Sequence, residues 1–157
     1  MESYGIMLSY GEKLLRGFVT KCFPKQKRLL NYRGAGIINP NTSQPLEIDV
    51  YFPDIKLGFE FHGRQHLTDE SQRNRDKIKR KQCKDKGIVL IEIYTSNLED
   101  DLYNKIKEKC DEHNIKITKP TNTYIHEFNI LAHNYKNSIY KMNKKIKSKT
   151  FVKRRSK

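Results

Sequence analysis

The stretch Leu46–His62, LEIDVYFPDIKLGFEFH, decides how the chain is read, because register arithmetic across it brings two acids to one spot. Both flanks alternate apolar and polar residues, the pattern of half-buried strands. Pro53-Asp54 between them is turn chemistry. A hairpin centred between Asp54 and Ile55 pairs residues whose numbers add to 109. Ile48 then faces Phe61, Val50 faces Phe59 and Phe52 faces Leu57, an apolar face. The other face pairs Asp49 with Glu60, Glu47 with His62 and Tyr51 with Gly58. A slip of one residue would mix acids with phenylalanines, so burial selects this register.

Opposed carboxylates need a neutralising partner. Directly facing Cβ atoms lie about 5 Å apart, and like charges there destabilise a sheet. At ~4 Å and an effective dielectric of about 20 the repulsion is roughly 4 kcal/mol. A hard divalent cation with oxygen ligands would convert that repulsion into a binding site. A neighbouring Lys or Arg, or one raised pKa, would relieve it without metal. These residues alone leave the alternatives open.

The flanking segments supply helices and a further strand. Leu8–Val19 reads as an amphipathic helix with Leu8, Leu14, Leu15 and Phe18 inward and Glu12 near its start. Leu29–Ser43 reads as a strand and a turn, and Arg33–Gly36 lacks the Lys-Ser/Thr ending of a phosphate-binding loop. Arg73–Lys86 reads as a basic helix with Ile78 and Cys83 almost its only apolar side chains. Gly87 stands where a C-terminal cap belongs. Ile88–Tyr94 is an apolar run of strand length. Leu98, Leu102, Ile106 and Cys110 recur at helical spacing, and Ile115–Thr118 is a candidate fourth strand.

Helix with Glu12, strands with Asp49 and Glu60, basic helix, then strand: this order resembles the PD-(D/E)xK nuclease superfamily. The closer resemblance is to its branch of very-short-patch mismatch endonucleases and related phage-type homing endonucleases. It is carried by SYGE at 9–12, IDVY at 48–51, EFHGRQH at 60–66, and Asp76, Lys79, Cys83, Gly87 and Ile88, and it spans roughly Leu8 to Tyr94. The resemblance implies an α/β fold with a restriction-endonuclease-like core, a small mixed sheet flanked by helices, and a basic helical C-terminal extension. It implies Mg²⁺, with Mn²⁺ able to substitute, on Asp49, Glu60 and the backbone carbonyl of Phe61, with Glu12 approaching from the helix. The family lysine two residues after the second acid is His62 here, a departure that His62 and His66 would have to make good. It is equally the mark of a catalytically inactive nucleic-acid-binding protein on the same fold, and a structure-selective RNA nuclease is a third class.

Charge distribution implies a polyanionic partner. The chain has 32 Lys+Arg against 18 Asp+Glu, a net +14. Lys136–Lys157 holds ten basic residues and no acid, and Arg73–Lys86 holds eight against Asp76 and Asp85. DNA is the expected partner of two such zones. Arg64, Arg73, Arg75 and Lys79, with Lys144, Lys145, Lys147, Arg154 and Arg155 in the tail, are the candidate phosphate contacts. Pro120 suggests a division into a nuclease-like core, 1–118, and a helical extension, 119–157. Tyr124, Phe128, Leu131, Tyr135, Ile139, Met142 and Ile146 form its near-heptad stripe, open to docking on the core or to dimerisation. No membrane span, secretory signal or small-molecule cofactor motif is present. Cys22, Cys83 and Cys110 read as reduced thiols of an intracellular protein acting where its nucleic acid is. The Lys-, Asn- and Ile-rich composition suits an AT-rich viral or phage genome. The expected activity is therefore Mg²⁺-dependent endonucleolytic hydrolysis of DNA, as a monomer or a homodimer.

Overall fold

The computed structural model describes residues 4–63, 70–99 and 101–155, with side chains described from Tyr10 to Lys149 within those spans. Its elements are α1 (Tyr4–Cys22), β1 (Leu29–Tyr32), β2 (Ile48–Phe52), β3 (Leu57–His62), α2 (Glu70–Asp85), β4 (Val89–Tyr94), α3 (Leu102–Glu112) and α4 (Asn122–Arg155). The strands form one mixed sheet in the order β1-β2-β3-β4, antiparallel except for the parallel β3–β4 pair joined through α2. A short 3₁₀ turn, Pro53–Ile55, makes the β2–β3 hairpin.

One face of the sheet carries the main core. Val50, Phe52, Leu57, Phe59, Phe61, Ile91 and Ile93 meet Leu15, Phe18, Val19 and Cys22 of α1. Leu102, Ile106 and Cys110 of α3 complete it, with Phe128, Ala132, Tyr135 and Ile139 of α4. The first half of α4 is thus built into the core, and Ala132 stands where the near-heptad stripe expects Leu131, which is 44% exposed. Ile115–Thr118 forms no named strand. Ile115 and Ile117 instead pack on the core, and the Thr118 N–H donates to the Cys22 carbonyl. Gly11 has no Cβ where one would lie 2.6 Å from the rings of Phe61 and Tyr135, so α1 approaches β3 and α4 closely just before Glu12.

The other face carries a smaller cluster of Ile37, Ile48, Tyr51, Cys83 and Ile88 under α2. Gly87, at φ +70, closes α2 in the left-handed region that glycine reaches without strain. The hairpin has the expected register at Val50↔Phe59, Tyr51↔Gly58 and Phe52↔Leu57. The expected pairing of Ile48 with Phe61 on the apolar face is corrected. Ile48 packs beside Tyr51, three residues on, and away from Val50 and Phe52. The strand turns over at Asp49, whose Oδ2 accepts the Phe61 N–H at 2.8 Å in place of a cross-strand carbonyl. The neighbouring strand bends at the same level: Asn31 has φ +48, and Leu29 and Tyr32 lie against the same small cluster. A local break of this kind re-aims a side chain, and here the side chain is Asp49.

Candidate active site

Helix α2 supplies what its amphipathic pattern leaves unstated. Its buried residues are Asp76, Lys79 and Cys83, an i, i+3, i+7 stripe that turns two charged groups inward. Opposite them, β3 alternates so that Phe59 and Phe61 enter the main core while Glu60 and His62 face α2. Lys79 Nζ donates to Glu60 Oε1 at 2.9 Å, with Glu60 5% and Lys79 8% exposed. Lys79, expected as a surface phosphate contact, is thus buried against the second acid.

The turnover at Asp49 leaves its charge acting on both Glu60 and Glu12, and the electrostatics are costly. Burial first, and then the charge of Asp49, push Glu60 up to about 8 against the pull of Lys79. Burial also raises Asp49, opposed by the Phe61 N–H and by Lys79. Glu12 is raised by burial and then by Asp49, while Arg16, at 2.6 Å, pulls the other way. The same guanidinium donates to Asn31 Oδ1 at 2.7 Å, tying α1 to the bend beside Asp49. Both ways of tolerating the pair without metal are therefore present, a lysine and a raised pKa. The lysine alone does not keep Glu60 ionised: with the ammonium in contact the carboxyl still sits near 8, so a proton supplies much of the relief.

Among the described residues no group of three or more His, Cys, Asp or Glu side chains is disposed to hold a metal ion. The oxygen-only pair of Asp49 and Glu60 fits Mg²⁺, which is commonly bound by one or two carboxylates plus substrate phosphate and water. Phe61, the third expected ligand, meets Asp49 through its N–H.

His62 occupies a separate compartment. It is 2% exposed, with Nε2 2.9 Å from Glu92 Oε1 and Nδ1 3.7 Å from Asp76 Oδ2, and its ring stacks on Tyr94 at 5.0 Å. Burial disfavours the Glu92 charge, but hydrogen bonds from His62 and Arg80 outweigh it and hold Glu92 down to about 2. An ionised carboxylate only accepts, so Nε2 carries the proton. The ammonium at the acid pair thus comes from α2 as Lys79, and His62 stands one strand step away. The sequence signal for this was the Asp76, Lys79, Cys83 spacing.

The remaining expected contacts divide. Arg73 and Arg75 are exposed on α2, and Lys144, Lys145 and Lys147 are exposed on the far half of α4. Arg154 and Arg155 continue that helix. Arg64 and His66 lie outside the described residues. No described helix is long and apolar enough to cross a membrane.

No protein-family model matches the chain, and no solved structure gives a significant match. Three viral proteins are similar to part of it. They are uncharacterized protein 033L of Invertebrate iridescent virus 3, 42% identical over 80 residues, and uncharacterized protein 094L of Frog virus 3, 38% over 79. The third is uncharacterized protein 307L of Invertebrate iridescent virus 6, 43% over 75. The matches cover 43%, 43% and 40% of this chain, and the chain spans 41%, 51% and 38% of those relatives. Their viral source accords with the expectation from composition.

Proposed function

We infer that the protein is a metal-dependent endonuclease that hydrolyses DNA phosphodiester bonds, on a core of the restriction-endonuclease type. The observation that carries this reading is half-buried Asp49 beside buried Glu60, with Lys79 on Glu60, at the bend of a mixed sheet. The viral relatives and the basic α4 arm are in keeping with it.

When bound, Mg²⁺ would supply Lewis acidity towards a phosphoryl oxygen and a water of lowered pKa. Asp49 and Glu60 would hold it, and the Phe61 N–H keeps Asp49 aimed at that position. Lys79, in contact with Glu60, would be the cation placed to stabilise charge that develops on the phosphate. Glu12, held by Arg16, borders Asp49 and could orient a water there. His62, clamped by Glu92 through Nε2 and facing Asp76 through Nδ1, would hold the ends of β3 and β4 beside the acids. Arg73, Arg75 and the α4 lysines would draw and steady the DNA backbone.

A second reading, an inactive nucleic-acid-binding protein on the same fold, has one observation on its side: Lys79 already partners Glu60 without a metal. Cleavage of supercoiled plasmid with Mg²⁺ or Mn²⁺ separates the two, with wild type, Asp49→Asn, Glu60→Gln and Lys79→Met prepared identically. Nicked or linear DNA from the wild type alone supports the nuclease. Equal products from all four would overturn the assignment to this site. DNA binding without cleavage, and no Mn²⁺ site that depends on Asp49, would favour the inactive module.

A further inference from the structure

We propose that the cleft floored by His62 and Tyr94 binds one unpaired nucleotide of a DNA strand, its base against Tyr140 and Tyr94 and its phosphate on Arg73 and Lys77. This deepens the reading given above and rests on it for the identity of the strand.

Two cavities meet at the stacked His62–Tyr94 pair. One, of about 390 Å³, lies between the ends of β3 and β4 and helix α4, walled by Thr95, Ser96, Asn137, Ile139, Tyr140 and Asn143. The other, of about 320 Å³, lies towards α2 and is walled by Arg73, Asn74, Asp76, Lys77 and Arg80. Both volumes fall within the range of small-ligand sites. His62 and Tyr94 are the last residues of two parallel strands, and the carboxyl ends of such strands are where open α/β sheets bind ligands.

The chemistry differs from one cavity to the other. The α4 side offers aromatic and apolar surface with amide and hydroxyl groups at its margin, and its one cation among the described residues, Lys136, is already paired with Glu99. Tyr140 is 65% exposed, more than any other large hydrophobic side chain among the described residues, so core packing does not explain it. Thr95 Oγ1 in the same wall is buried and has no hydrogen-bond partner among the described residues. The α2 side is cationic. Its Asp76 is engaged by Gln72 and His62, and its Arg80 by Glu92. Arg73 and Lys77 form no ion pair among the described residues. A flat, hydrogen-bonding group on one side and an anion on the other is the description of a nucleotide.

The ligand must be unpaired, because a base inside a duplex presents no face to a tyrosine; it reaches such a pocket only after leaving the stack. It must also come from the strand being cut. His62 follows Glu60 by two residues on β3, a step of about 7 Å, so a nucleotide in the cleft brings a neighbouring phosphate towards Asp49 and Glu60.

The test is binding in EDTA, which prevents cleavage, of two duplexes containing 2-aminopurine, one fully paired and one with the analogue as a single-base bulge. Wild type should bind the bulged duplex about tenfold more tightly and quench its fluorescence, as stacking on an aromatic ring does. Tyr140→Ala should abolish that preference and leave affinity for the paired duplex unchanged, and Tyr140→Leu, which keeps apolar bulk without the ring, should do the same. A preference surviving both variants overturns the proposal. Equal wild-type affinity for the two duplexes overturns it while leaving the nuclease reading intact, and binding of neither duplex overturns both. Free 2-aminopurine deoxynucleoside monophosphate should bind at least tenfold more weakly than the bulged duplex. Equal affinity would make the cleft a free-nucleotide site and overturn the strand assignment.

Discussion

Although it removes an acid of the proposed site, Glu60→Gln should make the metal-free protein more stable. Glu60 titrates near 8 in the folded chain against an ordinary 4.5. Between those values the folded chain holds a proton that the unfolded chain has released, so stability falls as pH rises through the window and levels above about 8. At 1.36 kcal/mol per pKa unit, keeping Glu60 protonated at pH 7 costs on the order of 3 kcal/mol. Glutamine removes that cost and still accepts from the Lys79 ammonium, but its amide carries one N–H more than the protonated acid, and leaving that buried donor unpaired costs about 1–2 kcal/mol. The net gain is therefore about 1–2 kcal/mol at pH 7, or roughly 2–8 °C in Tm for a chain of this length. Urea unfolding in EDTA from pH 5 to 8.5 reads it directly. The wild type should lose stability with rising pH and the variant much less, since Asp49 and Glu12, also raised, retain part of the slope. Saturating Mg²⁺ should then stabilise the wild type, by about 2.7 kcal/mol at a hundred times Kd, and not the variant. A wild-type curve that is level or rising between pH 5 and 8, or a variant less stable at pH 8, would refute the reasoning.

Three other outcomes are expected. Lys79→Met leaves the acid pair without its cation, so it should lose about 1–3 kcal/mol in urea melts at pH 8 and much less at pH 5; equal losses would mean the lysine acts by packing alone. Glu92, held near 2 by His62 and Arg80, contributes on the order of 3 kcal/mol above pH 4.5 that disappears as pH falls towards 2. Acid titration by circular dichroism should therefore be steeper below pH 4.5 in the wild type than in Glu92→Gln. Deleting residues 144–157 keeps Ile139 and the core, and if five of the removed cations touch phosphates the slope of log affinity against log salt should flatten by about 4–5; an unchanged slope would remove the arm from the DNA.

The hairpin register was legible because one face is buried and a one-residue slip would bury acids among phenylalanines. Helices α1 and α3 were legible from their apolar spacing, and the end of α2 from Gly87. Two features escaped. The turnover at Asp49 depends on a side chain taking a backbone N–H and on Asn31 in a left-handed conformation, neither of which leaves a mark in hydrophobic alternation. The inward face of α2 escaped because a helix with so few apolar residues gives no stripe to follow. Its buried lysine and aspartate look like solvated charges until the acids of the sheet are set opposite them. The sequence likewise suggested Leu131 for the α4 seam, where the smaller Ala132 lets the helix lie close.

The far half of α4 has a consequence for how charge is delivered. From Tyr140 to Arg155 the helix runs on for sixteen residues, about 24 Å at 1.5 Å each. With 3.6 residues per turn, its basic positions at 141, 144, 145, 147, 149, 153, 154 and 155 are distributed around the whole circumference. The helix is therefore a cationic rod with no preferred side. A polyanion meets the same field from any azimuth, so the rod can gather such a partner without choosing its orientation. Orientation is left to the body of the protein, and shuffling lysines around the rod should matter far less than shortening it.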